Sequence, residues 1–195
     1  PLYSSAASDV YKRQTIFHPH MQVLVSHRPF SYTAQLEEAS KRYAHVNNSS
    51  YWRDLVQIEI DREERYITGT GDVHWVTPYA PVGLNEVDAV AVGKSNFKSL
   101  TENDLEDLAK GIQSTLRFYY DEGIRSFNAL LYSPSLDSES DVFCVGIKIV
   151  SRYGYKTQFV SDVWSLQYLL NEQEVFEAPE VVCGKARPYF TEDHS

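Results

Sequence analysis

The apolar positions along the chain change period several times, and each change marks an element. Residues 21–26 (MQVLVS) form a short apolar run that predicts a buried strand. Over residues 34–46 charged side chains mix with Ala and Leu at helical spacing, and the Asn47-Asn48-Ser49-Ser50 breaker ends that helix. A second helix is predicted over residues 51–60, where Trp52, Leu55, Val56 and Glu59 recur at helical intervals. Residues 64–70 and 72–77 are β-rich runs around Gly69-Thr70-Gly71, which predicts a hairpin with that tripeptide at its turn. Two prolines and a glycine make residues 78–85 a loop, and residues 87–92 alternate as a strand. Residues 101–122 carry the strongest helical signal, with Thr101 as cap, Asp104 three positions on and Leu105, Leu108, Ile112, Leu116 and Tyr119 as the apolar stripe. Gly123 supplies the stop. Strands follow over residues 127–132 and 142–151, separated by a Ser/Asp/Glu loop. A helix is predicted over 163–170, and the tail from Pro179 reads as irregular. Hairpin-linked strands with one long helix between strand groups predict an α+β domain with an antiparallel sheet.

Composition narrows the class. With 195 residues, 43% of them apolar and 23% charged, the chain has material for one packed domain or slightly more, which excludes wholesale disorder. The two cysteines, Cys144 and Cys183, form no CxxC pair, so no disulfide framework or zinc ribbon is predicted and a reducing cytoplasm is the expected compartment. No apolar run reaches the roughly 18 residues of a membrane span, and the N-terminus has no signal-peptide pattern. A formal net charge of −9 without a basic stripe opposes a nucleic-acid backbone, so nucleic acid is not an expected partner.

The first fourteen residues, PLYSSAASDVYKRQ, share neither period nor composition with the rest and resemble translated adapter read-through. Residues 1–14 are therefore set apart as a non-native leader. No Met stands at position 1, and the single Met is Met21, so the protein is expected to continue upstream, with this chain as its C-terminal part.

Chemistry concentrates in one phrase, Phe17-His18-Pro19-His20-Met21-Gln22-Val23-Leu24. In extended chain, residues two apart share a face, so His18, His20 and Gln22 form a row of two imidazoles and a carboxamide. Such a row suits attack on phosphorus, because neutral imidazole is a nucleophile near pH 7 and an amide donor can hold a non-bridging oxygen. By itself the row fits equally an edge strand with solvent-facing histidines or a chance metal-binding pair.

The phrase HPHMQVLV resembles the active-site motif of the histidine-triad superfamily, and His-Pro-His-x-Gln resembles its galactose-1-phosphate uridylyltransferase branch. Weaker likenesses run through Asp72-Val-His-Trp-Val-Thr-Pro-Tyr79 and through the helix from Thr101 followed by Phe127-Asn-Ala-Leu-Leu-Tyr-Ser-Pro134. The resemblance implies a histidine-triad-like α+β fold, with residues 15–50 as the end of one half and residues 51–195 as the second. It implies His20 as the nucleophile that takes up a uridylyl group, and Gln22 as the group that steadies the α-phosphate. His18 matches the position that helps bind zinc in metal-containing members, its partners lying upstream. The implied reaction is ping-pong transfer between a nucleotide sugar and a sugar phosphate in galactose metabolism, and members are often homodimers. An adenylyl transferase or dinucleotide phosphorylase would use the same row, and a degenerate relative would bind nucleotide sugar without turnover.

The chain also departs from the family. Met21 stands where the family often has a small residue. Tyr132, Gly146 and Lys148 fall where its second half often carries histidines. The second metal site is therefore expected to be lost, with Glu37 or Glu38 as remnants of an acidic ligand. His27 and Arg28, just after the motif strand, are candidates to approach a phosphate. Lys148, Arg152 and Lys156 are expected as a solvated basic group, His74 as a structural histidine and Cys144 as an inert buried thiol.

Overall fold

Residues 26–152 and 175–191 are described by a computed structural model, and they build an α+β fold around one antiparallel sheet. The expected strand over 21–26 (all but Ser26) and helix over 163–170 lie outside them. In chain order the elements are α1 (Ser31–Asn47), α2 (Tyr51–Arg62), β1 (Tyr66–Thr70), β2 (Val73–Val76), β3 (Leu84–Ala91), a 3-10 turn (Phe97–Ser99), α3 (Glu102–Asp121), β4 (Phe127–Tyr132), β5 (Val145–Ser151), α4 (Pro179–Ala186) and α5 (Pro188–Thr191). The sheet order is β1-β2-β3-β5-β4. β4 is thus an edge among the described residues, with Leu130 and Leu131 about half exposed.

Local chemistry explains where elements start and stop. Thr101 caps α3: its hydroxyl accepts the Asp104 N–H at 3.2 Å, while the Asp104 carboxylate accepts the Thr101 N–H at 2.7 Å. This reciprocal pair satisfies two otherwise orphaned donors and places negative charge at the positive end of the helix dipole. Gly123, with φ +77°, ends the helix in a conformation that costs other residues energy. The β1–β2 hairpin turns on Gly71, with φ +56°. β3 begins three residues earlier than its alternation predicts. Glu86 gathers the Val82 and Gly83 N–H groups at 2.6 and 2.8 Å, and Asn85 takes a positive φ at the register shift between β3 and β5.

The strand period divides the sheet into two unlike faces. Val73, Trp75, Val87, Ala89, Ala91, Val145, Ile147 and Ile149 form a dry face under α3, α4 and α5. The opposite face carries Val90, Gly146, Lys148, Asp88 and Tyr132 under α1 and α2, where Trp52 and Val56 pack with Phe143 and Cys144. The Trp52 indole N–H donates to the Ser40 hydroxyl at 3.0 Å and ties the two helices together.

Two expectations are corrected here. The buried side of α3 is Asp104, Leu108, Gly111, Ser114, Thr115, Phe118 and Tyr119, and Leu105 is 54% exposed. A Cβ at Gly111 would overlap the Trp75 indole, so the helix turns its small residues toward the sheet and its stripe is displaced. The described part of the tail, residues 179–191, is helical, not irregular. Pro179 occupies the first position of α4, where its missing N–H costs nothing, and Val182, Cys183 and Ala186 are buried against the sheet.

Candidate functional site

The row His18, His20 and Gln22 lies outside the described residues. His27 and Arg28 lie within them, both exposed, on the segment leading into α1. The Arg28 N–H donates to the Ser26 hydroxyl at 3.2 Å, a local turn contact. The structure thus describes the helix that follows the motif and the sheet beneath that helix.

On the sheet face opposite α3 stands a polar cluster that the sequence pattern did not reveal. The Lys148 ammonium on β5 is paired with Glu86, whose side chain is wholly buried, and with Asp88 at 2.8 Å. Lys148 is 11% exposed, so its expected solvation is overturned. The cause lies in the register: Asp88 on β3 is the cross-strand partner of Lys148, which brings opposite charges together on a covered face. Tyr32, half-buried on the first turn of α1, lies beside the same ammonium. Burial alone would lower the Lys148 pKa, but Asp88, Glu86 and Tyr32 outweigh it and hold the amine above its ordinary value. Burial pushes the Asp88 carboxyl up to about 7; Lys148 opposes the rise and Glu86 adds to it. Among the described residues Asp88 Oδ1 is buried without a hydrogen-bond partner, so this side chain carries a polar atom that a proton would satisfy.

The remaining candidates are occupied structurally. His74 Nδ1 is 3.0 Å from the Tyr66 hydroxyl, and burial lowers its pKa, as a structural histidine requires. Burial raises the Cys144 thiol to about 12, which leaves almost no thiolate near neutral pH. Arg65, buried near the end of α2, reaches Glu59 at 2.9 Å and Glu180 at 2.6 Å and so joins α2 to α4.

Two surface depressions have volumes of about 270 and 360 Å³. The first is bordered by Glu86 and Glu177 among prolines and apolar side chains. In the second, Lys94 is neutralised by Asp72 at 3.0 Å and Asp104 at 2.9 Å, with Glu106 and Asp107 adjacent. The first has no cationic side chain in its lining, and the second presents the wrong sign to a phosphate.

The residues at the implied second metal site do not fit a metal. Tyr132 lies over Gly146, where a Cβ would collide with its ring, and burial keeps its phenol protonated. Lys148 brings a fixed positive charge. Glu37 and Glu38 pair with Lys41 and Arg42 one turn along α1, at 2.7 and 3.4 Å. Among the described residues no cluster of three or more His, Cys, Asp or Glu side chains could hold an ion.

This arrangement of sheet and helices has known counterparts. A uridylyltransferase structure superposes with a TM-score of 0.69 at 17% identity, over 81% of this chain and 50% of that one. A galt-like protein from Arabidopsis thaliana gives 0.65 at 16% identity, covering 82% of this chain and 51% of its own. An ADP-glucose phosphorylase from Arabidopsis thaliana, with bound ADP-glucose, gives 0.61 at 14%, over 79% and 48%. In sequence, a curated protein of Archaeoglobus fulgidus described as uncharacterized is 29% identical over 178 residues, 91% of this chain and 53% of that protein. No protein-family model matches the chain. The fold is therefore the one shared by these uridylyltransferase-like structures. The chain spans about half the length of each of these relatives.

Proposed function

We propose that the full-length protein is a nucleotidyltransferase of the hexose-1-phosphate uridylyltransferase kind, acting through His20. One observation carries this reading: an HPHMQ phrase stands just upstream of α1 in a chain with the uridylyltransferase fold. In the first half-reaction an imidazole nitrogen of His20 attacks the α-phosphorus of UDP-glucose. A P–N bond forms, the P–O bond to the leaving group breaks, and glucose 1-phosphate departs with the electron pair. In the second, a phosphate oxygen of another sugar phosphate attacks the same phosphorus and frees the imidazole. Gln22 donates its carboxamide N–H to a non-bridging oxygen, where charge builds in both steps. His27 and Arg28, exposed at the entry to α1, would approach a phosphate of the substrate. His18 would be one ligand of any zinc in the full-length protein, with the other ligands outside this chain. In this reading residues 1–14 are a leader, 15–50 close a first half and 51–195 form a second. The expected setting is a cytoplasmic homodimer; no helix among the described residues is long and apolar enough to cross a membrane.

The fold likeness to an ADP-glucose phosphorylase supports a second reading, adenylyl transfer through the same histidine. Full-length protein incubated with UDP-glucose or ATP labelled at the α-phosphate, quenched without acid because a phosphoramidate is acid-labile, separates the two. Protein-bound label from UDP-glucose, discharged by a sugar phosphate and absent in His20→Asn, is the expected result. Label only from ATP selects adenylyl transfer. Label that survives His20→Asn overturns His20 as the nucleophile, whereas none from either donor in folded protein leaves a non-catalytic nucleotide-sugar binder. Gln22→Ala should slow both half-reactions by roughly 3 kcal/mol of barrier without removing the nucleophile.

A further inference from the structure

The two edges of the sheet are finished differently. At the β1 edge the Tyr66 carbonyl accepts Arg187 Nη2 at 2.7 Å and the Cys183 thiol at 3.4 Å, so the end of α4 covers the strand. At the other edge stands β4, Phe127-Asn-Ala-Leu-Leu-Tyr132, and every residue of it but Tyr132 is exposed. The strand contains no charged residue, proline or glycine. Native edges are ordinarily blunted by such residues, and a bare apolar edge is a template for another strand.

The hydrogen-bond phase of β4 shows which groups are bare. The Arg152 N–H donates to the Ser126 carbonyl at 2.7 Å, and in an antiparallel ladder the bonded pairs recur every second residue. Asn128, Leu130 and Tyr132 therefore direct their main-chain groups at Val150, Lys148 and Gly146 of β5. Phe127, Ala129 and Leu131 direct theirs away, and among the described residues no strand meets them. The relatives that share this fold are about twice as long as the part this chain matches, so in them about as much chain again belongs to the same polypeptide. A tethered segment reaches β4 at an effective concentration that a second copy, free in solution, does not match.

We propose, on the two-half reading above, that in the full-length protein an extended segment of the first half pairs along the free edge of β4. One sheet then runs through both halves, joined by the main-chain groups of Phe127, Ala129 and Leu131.

Residue-resolved hydrogen exchange of the full-length protein tests this without any assay of activity, so strand pairing and the His20 reaction can fail separately. The outward amides of Phe127, Ala129 and Leu131 should be protected to within about tenfold of the inward amides of Asn128 and Leu130, at any protein concentration. An alternating pattern, with the outward amides about a hundredfold faster or more, would overturn the proposal. Protection that grows with protein concentration would assign the edge to a second copy and overturn it as well. Ala129→Pro removes an outward N–H and leaves the β4–β5 ladder intact. In that variant the Phe127 and Leu131 amides should exchange about tenfold faster or more while those of β3 change little, and unchanged exchange would contradict the pairing. The wild-type pattern decides alone if the variant does not fold.

Discussion

The two faces of one sheet are built from alternate residues of the same strands, yet they are held by different physics. Beneath α3, α4 and α5 the strands present Val, Ile, Ala and Trp75, and the contacts are dispersion and lost hydration. Beneath α1 the same β3 and β5 present Glu86, Asp88 and Lys148, and what matters is whether each charge has its partner. An apolar face loses stability in proportion to the volume removed. A charged one tolerates change poorly in a single partner because the others are then stranded. Tyr119 links the two regimes: it is buried in the apolar face, while its hydroxyl donates to the Asn85 carbonyl at 2.6 Å.

The largest effect expected on the dry face is that of Trp75→Ala. The indole is 2% exposed and lies against Gly111, so truncation should cost about 3–5 kcal/mol in denaturant unfolding. A loss below 1 kcal/mol would mean that α3 is not seated there. Gly111→Ala approaches the same contact from the other side. The added Cβ overlaps the indole and should cost about 1–3 kcal/mol through overpacking, visible as a lower melting temperature.

On the charged face, Asp88→Asn should change the pH dependence of stability. The folded value near 7 lies above the ordinary 3.8, so the folded chain binds this proton more tightly than the unfolded chain. The stabilisation it contributes is full below about 4 and is lost as pH rises through about 7. Melting curves from pH 4 to 8 should show that slope in the wild type and a shallower one in the variant; equal slopes would assign the dependence to other groups. Thr101→Ala removes one half of the α3 capping pair and should cost about 1 kcal/mol by the same unfolding measurement. Leu105→Ser should lie within about 0.5 kcal/mol of the wild type, because that side chain faces water; a larger loss would restore it to the buried stripe.

Much of this architecture was legible in the amino-acid order because its causes are local. The helices at α1, α2 and α3, the Gly71 hairpin, the Gly123 stop, the Thr101 cap and the limits of β4 follow from periodicity, capping and turn chemistry. The HPHMQ row is a reading of the amino-acid order alone, because it lies outside the described residues. The α4 helix escaped notice because eight residues give little periodicity, although Pro179 at its start was a usable sign.

The rest depended on which distant residues came to face one another. Whether Lys148 is solvated or buried is decided by the β3–β5 register, which sets Asp88 opposite it on a face where both are largely buried. The rotation of α3 followed from the close approach of Trp75 to Gly111, a contact between positions well separated in the chain. The same holds for the replaced metal site. The resemblance implied that Tyr132, Gly146 and Lys148 fall at its positions, and only the tertiary structure showed an ammonium between two carboxylates. Short-range steric and hydrogen-bond preferences act within a few residues and are written in their order, whereas the burial and pairing of a charge depend on the whole set of neighbours that folding assembles.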